Sequence, residues 1–262
     1  MTARNLLVRG LLAGLVAGLV AFAVAYVVGE PQVSTAIGLE SSAGSGADAH
    51  DHAEGGGEHA HDEEGGTVVP RSVQSTWGLL TGSLAVGVAL GGLVALVSAA
   101  TLGRLGRLTP RQSTAVIALV GFVAFALVPF VKYPANPPAV GSGETIGTRT
   151  ATYFSFVLIS LLAAVAATYL ANRLARARGA YVGVVAGVAA YLLVVVVAGA
   201  LMPTVNEVGD FPADTLWFFR RSSLIVLATL WAVLGVTLAG LVGREHHKVV
   251  ARQRRRELAA SL

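Results

Sequence analysis

AYVGVVAGVAAYLLVVVVAGAL, residues 180–201, runs for twenty-two positions without a charged side chain and is followed by Pro203. A helix rising about 1.5 Å per residue needs about twenty such residues to cross ~30 Å of hydrocarbon. The stretch does not alternate apolar with polar as a barrel strand would. A lone apolar strand would also leave its backbone unpaired in lipid, so helix is the state open to it. Working outward, five more blocks share this character: residues 6–28, 77–100, 114–131, 152–170 and 222–242. The expectation is an all-α integral membrane protein, a single six-helix membrane domain over residues 1–262.

Composition agrees. The chain is 54% hydrophobic and only 13% charged, whereas soluble domains carry about a quarter charged residues. It has no cysteine, which excludes disulfides, thiolate metal sites and cysteine nucleophiles.

The connections sort by charge. Arg4, Arg9, Arg104, Arg107, Arg111, Arg173, Arg176, Arg178 and the tail Arg244, Lys248, Arg252, Arg254, Arg255 and Arg256 fall on one side. They are fourteen of the nineteen basic residues. Arg71, Lys132, Arg149, Arg220 and Arg221 fall on the other, together with all the acids except Glu245 and Glu257. The basic side is cytoplasmic by the positive-inside rule, which predicts an inner-membrane, multi-pass protein with both termini in the cytoplasm. The same asymmetry shows that the net charge of +4 is no nucleic-acid signal. Arg4 and Arg9 before an apolar run, with Ala23-Val24-Ala25 near its end, resemble a signal peptide. The run is longer than a signal core, so the segment is expected to remain as an anchor.

Small residues recur at four-residue spacing: Gly10, Gly14 and Gly18; Gly78 and Gly82; Gly87 and Gly91; Gly183 and Gly187. In lipid such stripes let helices approach closely, here within one bundle, with a homo-oligomeric seam left open. Prolines at Glu30-Pro31, Tyr133-Pro134 and Met202-Pro203 are expected to end the odd helices, and arginines precede the even ones.

Residues 40–67 are low-complexity: Gly, Ala, Ser, acids and four histidines. His50 and His52, and His59 and His61, stand two apart, so in extended chain each pair faces one side and can chelate one ion. Imidazole with carboxylate suits Co²⁺, Ni²⁺ or Zn²⁺. The segment cannot bury a core and is expected to be a disordered extracytoplasmic loop without metal. His246-His247, on the basic tail, reads as a solvated helix end.

Two other external segments combine prolines with oxygen ligands: residues 127–150, with Asn136, and residues 202–220, with Asn206, Glu207, Asp210 and Asp214. They lead into helices headed by Arg149 and Arg220. An arginine at the membrane face is costly unless paired. The acids and asparagines are therefore expected to form an oxygen-lined mouth held by Arg149 and Arg220, with Glu207, Asp210 or Asp214 as the partner of Arg220. Neither lysine lies in a nucleotide-binding loop, and no paired acids or histidines lie within the spans, so an enzyme is not expected.

Gly29-Glu30-Pro31, Gly91-Gly92-Leu93, Gly103-Arg104 with Gly106, and the run from Val128 to Gly141 with Thr145-Ile146 and Arg149-Thr150 form one set of motifs. Asn206-Glu207-Val208, Phe211 to Asp214, Leu216-Trp217 and Arg220 form another. Together they resemble the CbtA family of cobalt transporter subunits, from the first helix to the last. Gly209 stands where the family pattern has proline. The resemblance implies a six-helix component that transports Co²⁺, holds no permanent cofactor, and works beside a small one-helix CbtB-type subunit. It carries over no ligand residues. Uptake of Co²⁺ captured by the histidine loop is the leading expectation. The second is a non-transporting scaffold that docks a small partner or a corrin-synthesis enzyme.

Overall fold

The computed structural model describes residues 2–47, 69–106 and 108–261. Among the described residues there are six long helices and no strand: α1 (Ala3–Ser42), α2 (Arg71–Thr101), α3 (Pro110–Lys132), α4 (Gly143–Arg178), α5 (Ala180–Leu201) and α6 (Ala213–Ala260). Each is long and apolar enough to span a bilayer. α5 coincides with its apolar run. The other five extend beyond theirs, because the backbone hydrogen bonds of a helix do not end where the hydrocarbon does. The last turns of α6, for example, carry Arg252, Arg254, Arg255 and Arg256 exposed.

Pro31 does not end the first helix, contrary to the expectation from sequence. A π-helical turn over Ala25–Gly29 precedes it, and helix resumes over Glu30–Ala47. α3 repeats the device, with a π-helical turn over Phe122–Leu127 just before Pro129. Proline lacks an N–H and its ring collides with the carbonyl four residues back; a widened preceding turn relieves both problems. The linker expected from residue 40 is thus helical at its start, with Glu40 on an exposed face. His50, His52, His59 and His61 lie outside the described residues. Pro134 and Pro203 do follow helix ends, at Lys132 and Leu201.

α1 and α2 cross antiparallel along their glycines. A Cβ added at Gly14 would lie 2.2 Å from the Gly87 carbonyl oxygen, and one at Gly91 would lie 2.2 Å from that of Gly10. Farther along, Gly18 meets Ser83. Backbone rests on backbone, which only glycine permits. The seam lies within the chain, and Gly82 takes no part in it, having open space around it. α6 lies against this pair, burying Leu234, Leu238 and Val242 with Leu6 of α1 and Leu90 and Val94 of α2. α3 docks through Gly121, which the Trp231 ring covers, and through Ala118 against Gly235.

α4 and α5 form a separate hairpin. Gly179, at φ +95°, reverses the chain alone, a backbone state that suits glycine. Gly183 and Gly187 of α5 then pack on Ala167, Ala171 and Ala175 of α4. The hairpin joins the bundle through α3, where Ala124 meets Ala163, Ala164, Ala167, Tyr191 and Val195. Within it Ser160 and Tyr191 share a buried hydrogen bond of 2.8 Å.

Arg9 pairs with Glu245 at 2.8 Å, tying the start of α1 to the far part of α6, so both ends of the chain lie at one face. The Glu30–Arg71 ion pair and the turns after α3 and α5 lie at the opposite face, hereafter the loop face.

Gly14→Ala and Gly91→Ala are expected to lower the melting temperature of the purified protein in detergent, by an overpacking cost of about 1–3 kcal/mol each. Gly82→Ala is expected to be neutral or stabilising by up to about 1 kcal/mol through helix propensity. Equal melting of all three variants would show that the seam carries no stability.

Candidate functional site

The loop face is built by two proline-bearing turns and the helices that follow them. After Lys132 the chain leaves α3 through Pro134 and Pro137 and then turns at Pro138-Ala139, where the Val140 amide donates to the Pro137 carbonyl. The Tyr133 hydroxyl donates to the Pro203 carbonyl at 2.8 Å, and Lys132 Nζ donates to the Met202 carbonyl at 3.4 Å. The end of α3 is thereby fastened to the end of α5. Burial pushes the Tyr133 phenol above its ordinary value, so it keeps the proton it donates. Its ring stands edge-on to Phe156, with centroids 5.8 Å apart.

Glu207 is the hub of the second turn. Its Oε2 accepts from the Ser142 amide at 3.2 Å and from the Thr145 hydroxyl at 2.9 Å, and lies 3.4 Å from Arg149 Nε. Arg149 Nη2 donates to the Ser142 carbonyl at 2.9 Å. Gly141 is required twice here. Its φ is +99°, and a Cβ would lie 2.1 Å from Arg149 Nη1. One carboxylate thus closes both turns onto the first turns of α4.

Arg220 is held differently. Its Nε donates to the Ala135 carbonyl at 3.3 Å and its Nη2 to Asn136 Oδ1 at 2.9 Å. Among the described residues no carboxylate lies within ion-pair distance of it. The expectation that Glu207, Asp210 or Asp214 pairs with Arg220 is therefore corrected: Glu207 goes to Arg149, and Arg220 takes neutral oxygens. The reason is position. The turn brings Glu207 beside Ser142 and Thr145 at the head of α4, while Arg220 lies two turns into α6, beneath Asn136.

Asn206, Asp210 and Asp214 are exposed, with Asp214 in the first turn of α6, where a carboxylate favours the helix dipole. The structure therefore brings Glu207 to Arg149 and Asn136 to Arg220, and leaves Asn206, Asp210 and Asp214 at the surface. Among the described residues no three His, Asp or Glu side chains converge as a metal site.

Between α4 and α6 lies an open cavity of about 440 Å³. Arg149, Arg220, Asn136, Tyr133, Thr150 and Tyr153 form its polar lining, and Phe130, Ile146, Phe154, Val205 and Leu227 its apolar walls. Ser142 and Tyr153 were not singled out from sequence, whereas Gly141, Thr145 and Thr150 stand in the motifs leading into α4 without an assigned role.

Six helices long and apolar enough to cross a membrane, with polar turns gathered at one face, define a multi-pass membrane protein. A family model described as "Probable cobalt transporter subunit (CbtA)" matches residues 3–243, and the chain belongs to that family. The family is described as one of probable transporter subunits, which is consistent with a chain that works beside a partner. Comparison with curated proteins and with solved structures yields no match.

Arg149→Ala strands the Glu207 carboxylate, whereas Arg220→Ala leaves only neutral acceptors unpaired. Arg149→Ala is therefore expected to be the more destabilising, since an unpaired charge costs more than an unpaired carbonyl, by about 1 kcal/mol or more. Thermal unfolding of the two variants side by side checks the order.

Proposed function

We propose that this chain is the membrane-spanning subunit through which Co²⁺ enters the cell, oriented with both termini in the cytoplasm and the loop face outside. The family match over residues 3–243 carries this reading. The charge asymmetry supports the orientation, because most arginines flank the face that holds the chain ends. The paired imidazoles His50/His52 and His59/His61 collect the ion in the extracytoplasmic segment, and the neighbouring carboxylates complete its coordination. Ni²⁺ and Zn²⁺ fit the same donors.

Of the loop-face residues, Asp210, Asp214 and Asn206 have oxygens free to meet an arriving cation. Glu207 and Asn136 are engaged by arginines, so their part is to hold the turns that present the others. The chain encodes no motor. A divalent cation entering a negative interior gains about 4.6 kcal/mol per 100 mV, twice the single-charge value, which is enough to drive uptake through a facilitating path. A small one-helix subunit of CbtB type is the expected partner, and the histidines would receive metal at the interface with it.

One observation favours the second reading, a scaffold that does not itself conduct. Among the described residues the loop-face cavity is lined by two guanidiniums and no carboxylate, and like charge repels a divalent cation. The two readings separate in radiocobalt uptake by cells expressing the chain with and without the small subunit. Uptake that requires this chain, and that falls in Asp210→Asn/Asp214→Asn at matched membrane abundance, supports conduction. Uptake by the partner alone returns the chain to a scaffold.

Replacing all four loop histidines with alanine is expected to raise the cobalt concentration for half-maximal uptake while leaving maximal flux near wild type. The effect is expected to vanish below about pH 5.5, where imidazoles are protonated and cannot bind metal.

A further inference from the structure

The loop-face cavity has a charge that the transport reading does not use. Two guanidiniums reach it from different helices, Arg149 from α4 and Arg220 from α6. Arg149 is neutralised from behind by Glu207. Arg220 meets no carboxylate among the described residues: its two contacts, to the Ala135 carbonyl and Asn136 Oδ1, are neutral. A guanidinium has five N–H donors, so most of those of Arg220 remain available after these contacts. The cavity thus carries about one uncompensated positive charge close to the membrane face, where such a charge is costly.

The rest of the lining indicates what would meet it. Asn136, Thr150, Tyr133 and Tyr153 add amide and hydroxyl groups beside the guanidiniums, while Phe130, Ile146, Phe154 and Leu227 give the same cavity an apolar wall. The cavity opens between α4 and α6, which dock on α3 and not closely on each other. Phe154 of the lining and Trp217, one turn before Arg220, are exposed, and such aromatic side chains are enriched where membrane meets water. Arginine forks match phosphate oxygens in pairs, and a phosphodiester carries one negative charge, the charge the cavity lacks.

We propose that the cavity lined by Arg149 and Arg220 binds a phosphate group, with the phosphodiester of an anionic lipid headgroup as its occupant. The guanidiniums hold the phosphate oxygens and the apolar wall takes the first part of the lipid chains. Bound there, the lipid wedges α4 against α6 and neutralises the guanidinium field that would otherwise repel a cation at this face. The site concerns this chain's own charge balance and holds whether or not the chain conducts cobalt.

The full chain, purified in a neutral detergent and stripped of lipid, is titrated with dihexanoyl phosphatidylglycerol, dihexanoyl phosphatidylcholine or sodium phosphate. Native mass spectrometry and the melting temperature are read. Phosphatidylglycerol is expected to give one retained adduct per chain and to raise the melting temperature, with phosphatidylcholine clearly weaker. Arg220→Gln is expected to bind phosphatidylglycerol about tenfold more weakly, the loss of one charge-assisted contact. Should that variant fail to fold, Thr150→Val with Tyr153→Phe removes two hydroxyls from the lining, keeps both arginines, and is expected to weaken binding by a smaller factor. Stabilisation by sodium phosphate alone would retain the phosphate site and assign it to a free anion. Equal binding of the two lipids, or adducts unchanged in both variants, would overturn it.

Discussion

The close crossing of α1 and α2 is the contact on which the remaining helices depend. Inside a bilayer, apolar side chains gain little by leaving lipid for one another, so helices associate through close van der Waals packing where small residues allow it. Gly10, Gly14, Gly87 and Gly91 let two backbones touch along two turns. That pair presents the surface against which α6 buries Leu234, Leu238 and Val242. Trp231 of α6, 5% exposed, then supplies the ring that fills the space over Gly121 and between Phe122 and Phe125 of α3. α3 in turn carries the α4–α5 hairpin. A wider α1–α2 crossing would move every later helix, and with them the two arginines at the loop face.

The loop face follows a different physical rule. Its strength lies in polar contacts whose geometry is set by stiff turns. Prolines at 134, 137, 138 and 203 restrict the backbone, so the carbonyls of Ala135, Ser142, Met202 and Pro203 stand ready as acceptors. Tyr133, Lys132, Arg149 and Arg220 reach them. The turns are thus organised around cations of the chain itself. This explains why the carboxylate best placed by the fold, Glu207, is spent on Arg149, while the exposed Asp210 and Asp214 face water.

Much of this was legible in the sequence. Six apolar blocks identified six helices. The small-residue spacing identified the seam, though not which members take part: Gly82 has the same spacing as Gly14 and meets nothing. The carboxylate expected beside Arg220 is not found among the described residues: Glu207 meets Arg149, and Arg220 meets Asn136. The continuation of helix through Pro31 was not legible, because hydropathy falls there and proline usually ends a helix; a single π-helical turn upstream reverses that rule.

Sequence alone determined the solvent of this protein and the number of its crossings, since transfer from water to lipid is a sum over residues adjacent in the chain. It also determined which side chains carry charge. Tertiary structure alone decided which glycines touch, which acid meets which arginine, and that Arg220 has neutral partners among the described residues. The contacts of Glu207 and Arg220 join residues 58 to 85 positions apart. Differences of a few ångström decide such pairings, and those differences are set by how closely helices elsewhere in the bundle can pack.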